Sequence, residues 1–150
     1  MIAAVDTSVL IYAADRASDP RKHKFAAELL NNLATARRGL LPLQALTEFY
    51  AFAIRKSEVA PDEAAAFVDA YANILPVREA NLADAIDAMR VHRDHAIQFW
   101  DGMIWSVARR FGARIVLSED FQDGRVLEGV RFVNPFTAAN APILAEIVGR

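Results

Sequence analysis

The sequence contains no cysteine, so neither a disulfide framework nor a thiolate metal site is open to it, and its composition suits a reducing compartment. No apolar run reaches the roughly 18 residues needed to cross a bilayer, although 54% of the residues are hydrophobic. The start lacks the basic region and cleavage site of a secretory signal, which leads to the expectation of a cytoplasmic protein without membrane association. Nor is there a strong excess of charge: 17 basic against 19 acidic residues leave a net charge of -2. That balance excludes binding of nucleic acid by bulk attraction alone, but not a nucleic-acid enzyme. Repeats, low-complexity tracts and linker-like segments are missing too. Residues 1–150 are therefore expected to form a single domain with a real core.

What is present is an alternation of strand-like and helix-like segments. Ile2 to Val5 is a continuous apolar run, as expected of a strand covered on both faces, and Ile115 to Leu117 is a second. Asp19-Pro20 can start a helix to about Arg38, with Gly39 as its left-handed cap. Leu40 to Leu43 reads as a short strand and Gln44 to Lys56 as a helix. Pro61-Asp62-Glu63 opens another helix with acids in its first turn. Ile74 to Val77 is a weaker strand whose Pro76 favours a sheet edge. Asn81 and Asp84 resemble a capping box for a helix to about Asp94. A further helix covers Phe99 to Phe111 and stops at Gly112, Arg131 to Val133 is a last strand, and Asn140 with Pro142 begins a short final helix. The pattern predicts an α/β fold: a three-layer sandwich whose central, mostly parallel sheet of about four or five strands is flanked by helices.

Four acids occupy expensive places. Asp6 follows the first strand and Asp120 follows the second, where open parallel sheets bind ligands beyond their strand ends. Glu48 falls on a helical stripe with Ala45, Phe49 and Phe52, and Asp101 shares a face with Ile104, Trp105 and Ala108. Each has an ordinary explanation by itself. Asp6 can cap a helix beginning near Thr7, and Glu48 can pair with Arg55. Asp101 can be an N-cap if its helix starts late, and Asp120 can shape an Asx-turn. Together the four are harder to explain, because gathered carboxylates repel and each costs several kcal/mol to bury unpaired. A bound cation removes both penalties. Oxygen donors without His or Cys select hard ions, Mg²⁺ with Mn²⁺ as a substitute, and such ions meet substrates through phosphate oxygens. Metal-assisted phosphodiester hydrolysis is the reaction class expected. His92 and His95 read as surface residues.

Four segments in this order resemble the PIN-domain ribonucleases, specifically the VapC-type toxins of bacterial toxin–antitoxin pairs. They are Val5-Asp6-Thr7-Ser8-Val9-Leu10, Leu46-Thr47-Glu48-Phe49-Tyr50, Phe99-Trp100-Asp101-Gly102-Met103-Ile104 and Leu117-Ser118-Glu119-Asp120-Phe121. The resemblance implies that Asp6, Glu48, Asp101 and Asp120 are catalytic and form the acidic pocket around the metal. Ser8 would hold Asp6 or a metal-bound water, and Ser118 would support the last acid. Many relatives carry Asn where Ser8 stands. Asp123 would be a further ligand, with Glu119 pointing away. The resemblance further implies cleavage of single-stranded or loop RNA, a cognate antitoxin over the pocket, and a homodimer. Arg16, Arg55 and Lys56, with Arg21 and Lys22, are candidates to meet RNA phosphates, and Tyr12 or Trp100 to stack a base.

Three other readings compete. A haloacid-dehalogenase-type phosphatase wants a second Asp where Ser8 stands, and a phospho-receiver domain wants an acidic pair that Asp6-Thr7 does not supply. Both leave Glu48 unexplained. A module that binds RNA or protein without turnover has no need of all four acids.

Overall fold

The computed structural model describes residues 1–56 and 59–149. The chain runs β1 (Ile2–Val5), α1 (Thr7–Ala14), α2 (Pro20–Ala36), β2 (Gly39–Pro42), α3 (Leu43–Lys56), α4 (Pro61–Ile74), β3 (Val77–Arg78), α5 (Leu82–His95), α6 (Phe99–Arg110), β4 (Ala113–Leu117), β5 (Val126–Leu127), β6 (Val130–Val133) and α7 (Ala141–Ile147). The strands form one sheet in the order β3-β2-β1-β4-β6-β5, parallel throughout except for the β5–β6 pair. Helices α1 to α4 pack on one another and α5 packs on α6, the two groups that right-handed crossovers in this strand order put on opposite faces, giving the expected layered α/β architecture.

Ala3, Ala4 and Val5 are fully buried, as a strand covered on both faces requires. The core continues through Leu10, Leu33, Phe49, Trp105, Ile115 and Phe132. The helix starts follow local chemistry. Asp19 Oδ1 accepts the Lys22 N–H at 3.0 Å to cap α2, and Asn81 with Asp84 completes a capping box on α5. The short strand near Pro76 lies at the sheet edge, and Pro76 O accepts the Leu41 N–H at 2.8 Å.

Two details differ from expectation. The sheet has six strands, because β5 folds back on β6 through Glu128 and Gly129, both at positive φ. This two-residue turn matches strand twist without the usual Asn-Gly or Asp-Gly signal. Trp105 Nε1 then donates to Leu127 O at 3.0 Å and ties the added strand to α6. The left-handed cap of α2 is Arg37, with φ 56°, and Gly39 is instead the first residue of β2. Space is tight there: a β-carbon would stand 2.8 Å from Leu75 Cδ2 and 3.1 Å from Leu33 Cβ, so a larger residue would require those side chains to shift.

Candidate active site

Successive connections leave β1 and β4 in opposite directions along the sheet, so a crevice opens outside their carboxyl ends. The Asp6 N–H bridges the two strand ends by donating to Leu117 O at 3.0 Å. Asp6 occupies the N-cap position of α1, but its side chain makes no capping hydrogen bond. The carboxylate turns inward, 6% exposed, and Oδ2 accepts the Ser118 hydroxyl proton at 2.7 Å. Ser118 Oγ also accepts the Asp120 N–H at 3.1 Å. One hydroxyl therefore fixes a carboxylate from β1 and the backbone that carries a second acid after β4. Ser8 acts on the same loop: its Oγ lies 3.4 Å from Ser118 Oγ and accepts the Glu119 N–H at 3.1 Å.

Glu48 arrives from α3, and its placement corrects the expectation of a buried acid. The buried stripe of α3 is Ala45, Leu46, Phe49 and Ala53, which leaves Glu48 exposed beside it. Two side chains orient it. Gln44 Nε2 donates to Glu48 Oε1 at 2.8 Å and to Trp100 O at 3.0 Å, joining α3 to the first turn of α6. Thr7 Oγ1 lies 3.2 Å from Glu48 Oε2 and 3.1 Å from Ala45 O. Asp101 stands in that first turn, because α6 starts at Phe99 with Gln98 as its cap, and it is half-buried.

These four acids line one cleft of about 790 Å³, with Thr7, Ser8 and Tyr12 on its walls and Arg55 and Lys56 at one side. Among the described residues none of the four belongs to an ion pair. Desolvation pushes the Asp6 carboxyl up to about 6; the charges of Asp120 and Glu48 add to the rise, while the Ser118 hydroxyl and Thr7 backbone oppose it. Burial, followed by repulsion from Glu48 and Asp120, brings Asp101 to about 6 as well. Asp120 is raised in the same direction by burial, Glu119 and Glu48.

Glu119 does not point away as expected. It lines the cleft, forms an ion pair with Lys22, and accepts the Tyr12 hydroxyl proton at 2.7 Å. Asp123 is absent from the cleft walls; its Oδ1 accepts the Asn134 N–H and an Asn140 amide proton, each at 2.9 Å. Arg16 is exposed in the loop after α1 and Trp100 is 56% exposed. His92 and His95 are exposed at the end of α5. Thr7 and Gln44 went unread in the sequence, although Gln44 is one helical turn before Glu48 and within reach of it by spacing alone.

Among the described residues, no group of three or more His, Asp or Glu side chains is set to hold an ion unaided. The donor set still fits a hard cation. Mg²⁺ keeps several waters and is commonly held by one or two carboxylates together with substrate phosphates. Four unpaired carboxylates around an open cleft provide that kind of site.

A parallel α/β sheet with unpaired carboxylates at the ends of adjacent central strands defines an acidic-cleft domain. More narrowly, the chain belongs to the PIN domain family, whose model matches residues 3–126. No curated protein matches the chain. Several solved structures share the fold. A VapBC structure from Salmonella typhimurium bound to DNA has 19% identity and a TM-score of 0.68, over 90% of this chain and 98% of that one. VapBC2 from Rickettsia felis, bound to a fragment of its promoter DNA, has 14% identity and a TM-score of 0.66, over 89% and 98%. VapC20 of Mycobacterium tuberculosis, a toxin that cleaves the sarcin–ricin loop, has 18% identity and a TM-score of 0.60, over 76% and 86%.

Proposed function

We propose that this chain is a Mg²⁺- or Mn²⁺-dependent endoribonuclease that hydrolyses RNA phosphodiester bonds, and that it is the toxin of a type II toxin–antitoxin pair. The observation that carries the reading is the convergence of Asp6, Glu48, Asp101 and Asp120, from four separate segments, on one cleft where no cation among the described residues pairs with them. A divalent ion bound there would activate water and offset negative charge on the phosphate. Asp6, held by Ser118, is the most deeply buried donor. Asp101 and Asp120 face it from α6 and the β4 loop, and Glu48 completes the set under the control of Gln44 and Thr7. Arg55 and Lys56 meet backbone phosphates at the cleft side, since neither has a partner among the described residues; Arg16 lies farther out.

PIN membership and the likeness to VapC20 and the VapBC structures support the nuclease and toxin readings. The VapBC structures also support an antitoxin partner. An exposed stripe on α5, with Leu82, Ile86 and Met89 at 75%, 56% and 55% exposure, supports a homodimer through that helix. Among the described residues no helix is long and apolar enough to cross a membrane.

The test is to incubate wild type and Asp6→Asn with total cellular RNA in Mg²⁺, Mn²⁺ or EDTA and to map the fragment ends. Discrete cuts are expected only from wild type with metal. RNA bound without cuts by a metal-loaded protein favours the binding module, and cuts of equal extent in EDTA exclude the metal mechanism.

A further inference from the structure

Beside the acidic cleft, the first turns of α2 form one wall of a second groove of about 410 Å³, lined by Asp19, Arg21, Lys22, Phe25 and Phe136. The two are joined through Lys22. Its ammonium pairs with Glu119 and donates to the Tyr12 hydroxyl at 3.4 Å, and both of those residues line the cleft. The same ammonium lies 4.8 Å from the Tyr12 ring centroid and 5.3 Å from that of Phe136. An aromatic run then leads outward: the Tyr12 and Phe136 centroids are 5.0 Å apart, and those of Phe136 and Phe25 are 5.9 Å apart.

At the outer end Phe25 is 39% exposed. Arg21 is exposed and has no hydrogen bond or ion pair among the described residues. Asp19, the one acid lining the groove among the described residues, is committed to capping α2. The groove's basic lining residues are Arg21 and Lys22, the latter already paired with Glu119. A lone exposed Phe or a lone solvated Arg would need no explanation. An open aromatic face next to an unpaired arginine, on a groove adjoining an acidic cleft, is a different matter. Single-stranded RNA is gripped by stacking bases on aromatic rings while cations follow its phosphates.

We infer that this groove binds the single-stranded RNA segment leading away from the scissile phosphate, with a base stacked on Phe25 and a backbone phosphate at Arg21. The inference rests on the ribonuclease reading for its substrate. Phe136, wedged between Tyr12 and Phe25, is the floor that sets the Phe25 ring. Lys22, clamped by Glu119, stands where cleft and groove adjoin.

The experiment measures fluorescence anisotropy of labelled single-stranded RNA in EDTA, where no metal-dependent cutting proceeds. Wild type, Arg21→Gln, Phe25→Leu and Phe25→Trp are compared on RNAs of about 12 and about four nucleotides. On the longer RNA, Arg21→Gln and Phe25→Leu should each weaken binding by about fivefold or more, with Phe25→Trp close to wild type. Arg21→Gln alone should also lower the slope of log affinity against log salt by about 0.7. The shorter RNA, too short to occupy both sites, should lose less. Unchanged binding by both weakening variants overturns the proposal and leaves the groove to a protein partner. Equal losses on both RNAs, or no binding by wild type, also overturn it. Metal-dependent cutting by the same preparations is scored separately, so a failed nuclease and a failed groove give different results.

Discussion

Replacing Asp6 with asparagine isolates what the buried carboxylate costs the fold. Desolvation is the largest cause of a carboxyl pKa that rises from 3.8 to about 6, over the opposing pull of Ser118. Between those two values the folded chain binds more protons than the unfolded one, so stability falls as pH rises through the window. Above it the whole penalty applies, and a rise from 3.8 to about 6 corresponds to about 3 kcal/mol. Asparagine cannot ionise, and its Oδ1 can still accept the Ser118 proton now 2.7 Å from Asp6 Oδ2. Its amide group needs an acceptor that Asp6 did not, which offsets roughly 1 kcal/mol. The expected net gain near pH 8 is about 2 kcal/mol, or about 4–8 °C in melting temperature for a chain of this length. Near pH 4 the wild-type acid holds its proton and the gain should disappear. Thermal melts in EDTA at both pH values measure it. A variant less stable than wild type near pH 8, or a gain equal at both pH values, would refute the electrostatic account of Asp6.

Mn²⁺ at about a hundred times its dissociation constant should stabilise wild type by about 2.7 kcal/mol near pH 8, followed as a melting shift. That shift should fade as pH drops through about 6, where Asp6 and Asp101 take up protons. Gln44→Ala frees Glu48 from its tether to Trp100 and should lower kcat about tenfold with KM little changed, as steady-state RNA cleavage would reveal. Arg110→Met leaves Asp84 without three hydrogen bonds of 2.8–3.0 Å and should lower the midpoint of urea unfolding. Ile86→Glu should turn a dimer into a monomer by light scattering, and an unchanged mass would remove α5 from the interface.

Much of this architecture is legible locally. Strands β1 and β4 are apolar runs, and α2, α4 and α5 begin at Asp19-Pro20, Pro61 and Asn81, where capping chemistry is a matter of a few neighbouring residues. β5 was not legible, because two residues carry no period and Glu128-Gly129 is a weak turn signal. The helix-end rule points to Gly39 as a cap, yet the crowding there comes from Leu75 and Leu33, a matter of tertiary packing. The acids divide in the same way. Asp6 and Asp120 stand out because strand ends are readable, whereas Glu48 was assigned to a buried stripe that in fact runs through Ala45, Leu46, Phe49 and Ala53.

What no local pattern supplies is the reach of side chains across the sheet. Glu119, expected to point away, instead pairs with Lys22 from the start of α2. Ser118 makes the same point more strongly. Its hydroxyl donates to Asp6, 112 positions away, and accepts from the Asp120 backbone, so one side chain joins the two strand ends. Ser118→Ala would leave Asp6 buried without that donor. Its carboxyl should then rise above its present value of about 6. The pH at which Mn²⁺ stabilisation is lost should move upward with it, which melts across a pH series would detect. An unmoved midpoint would mean that burial alone sets the behaviour of Asp6 and that Ser118 serves only the loop.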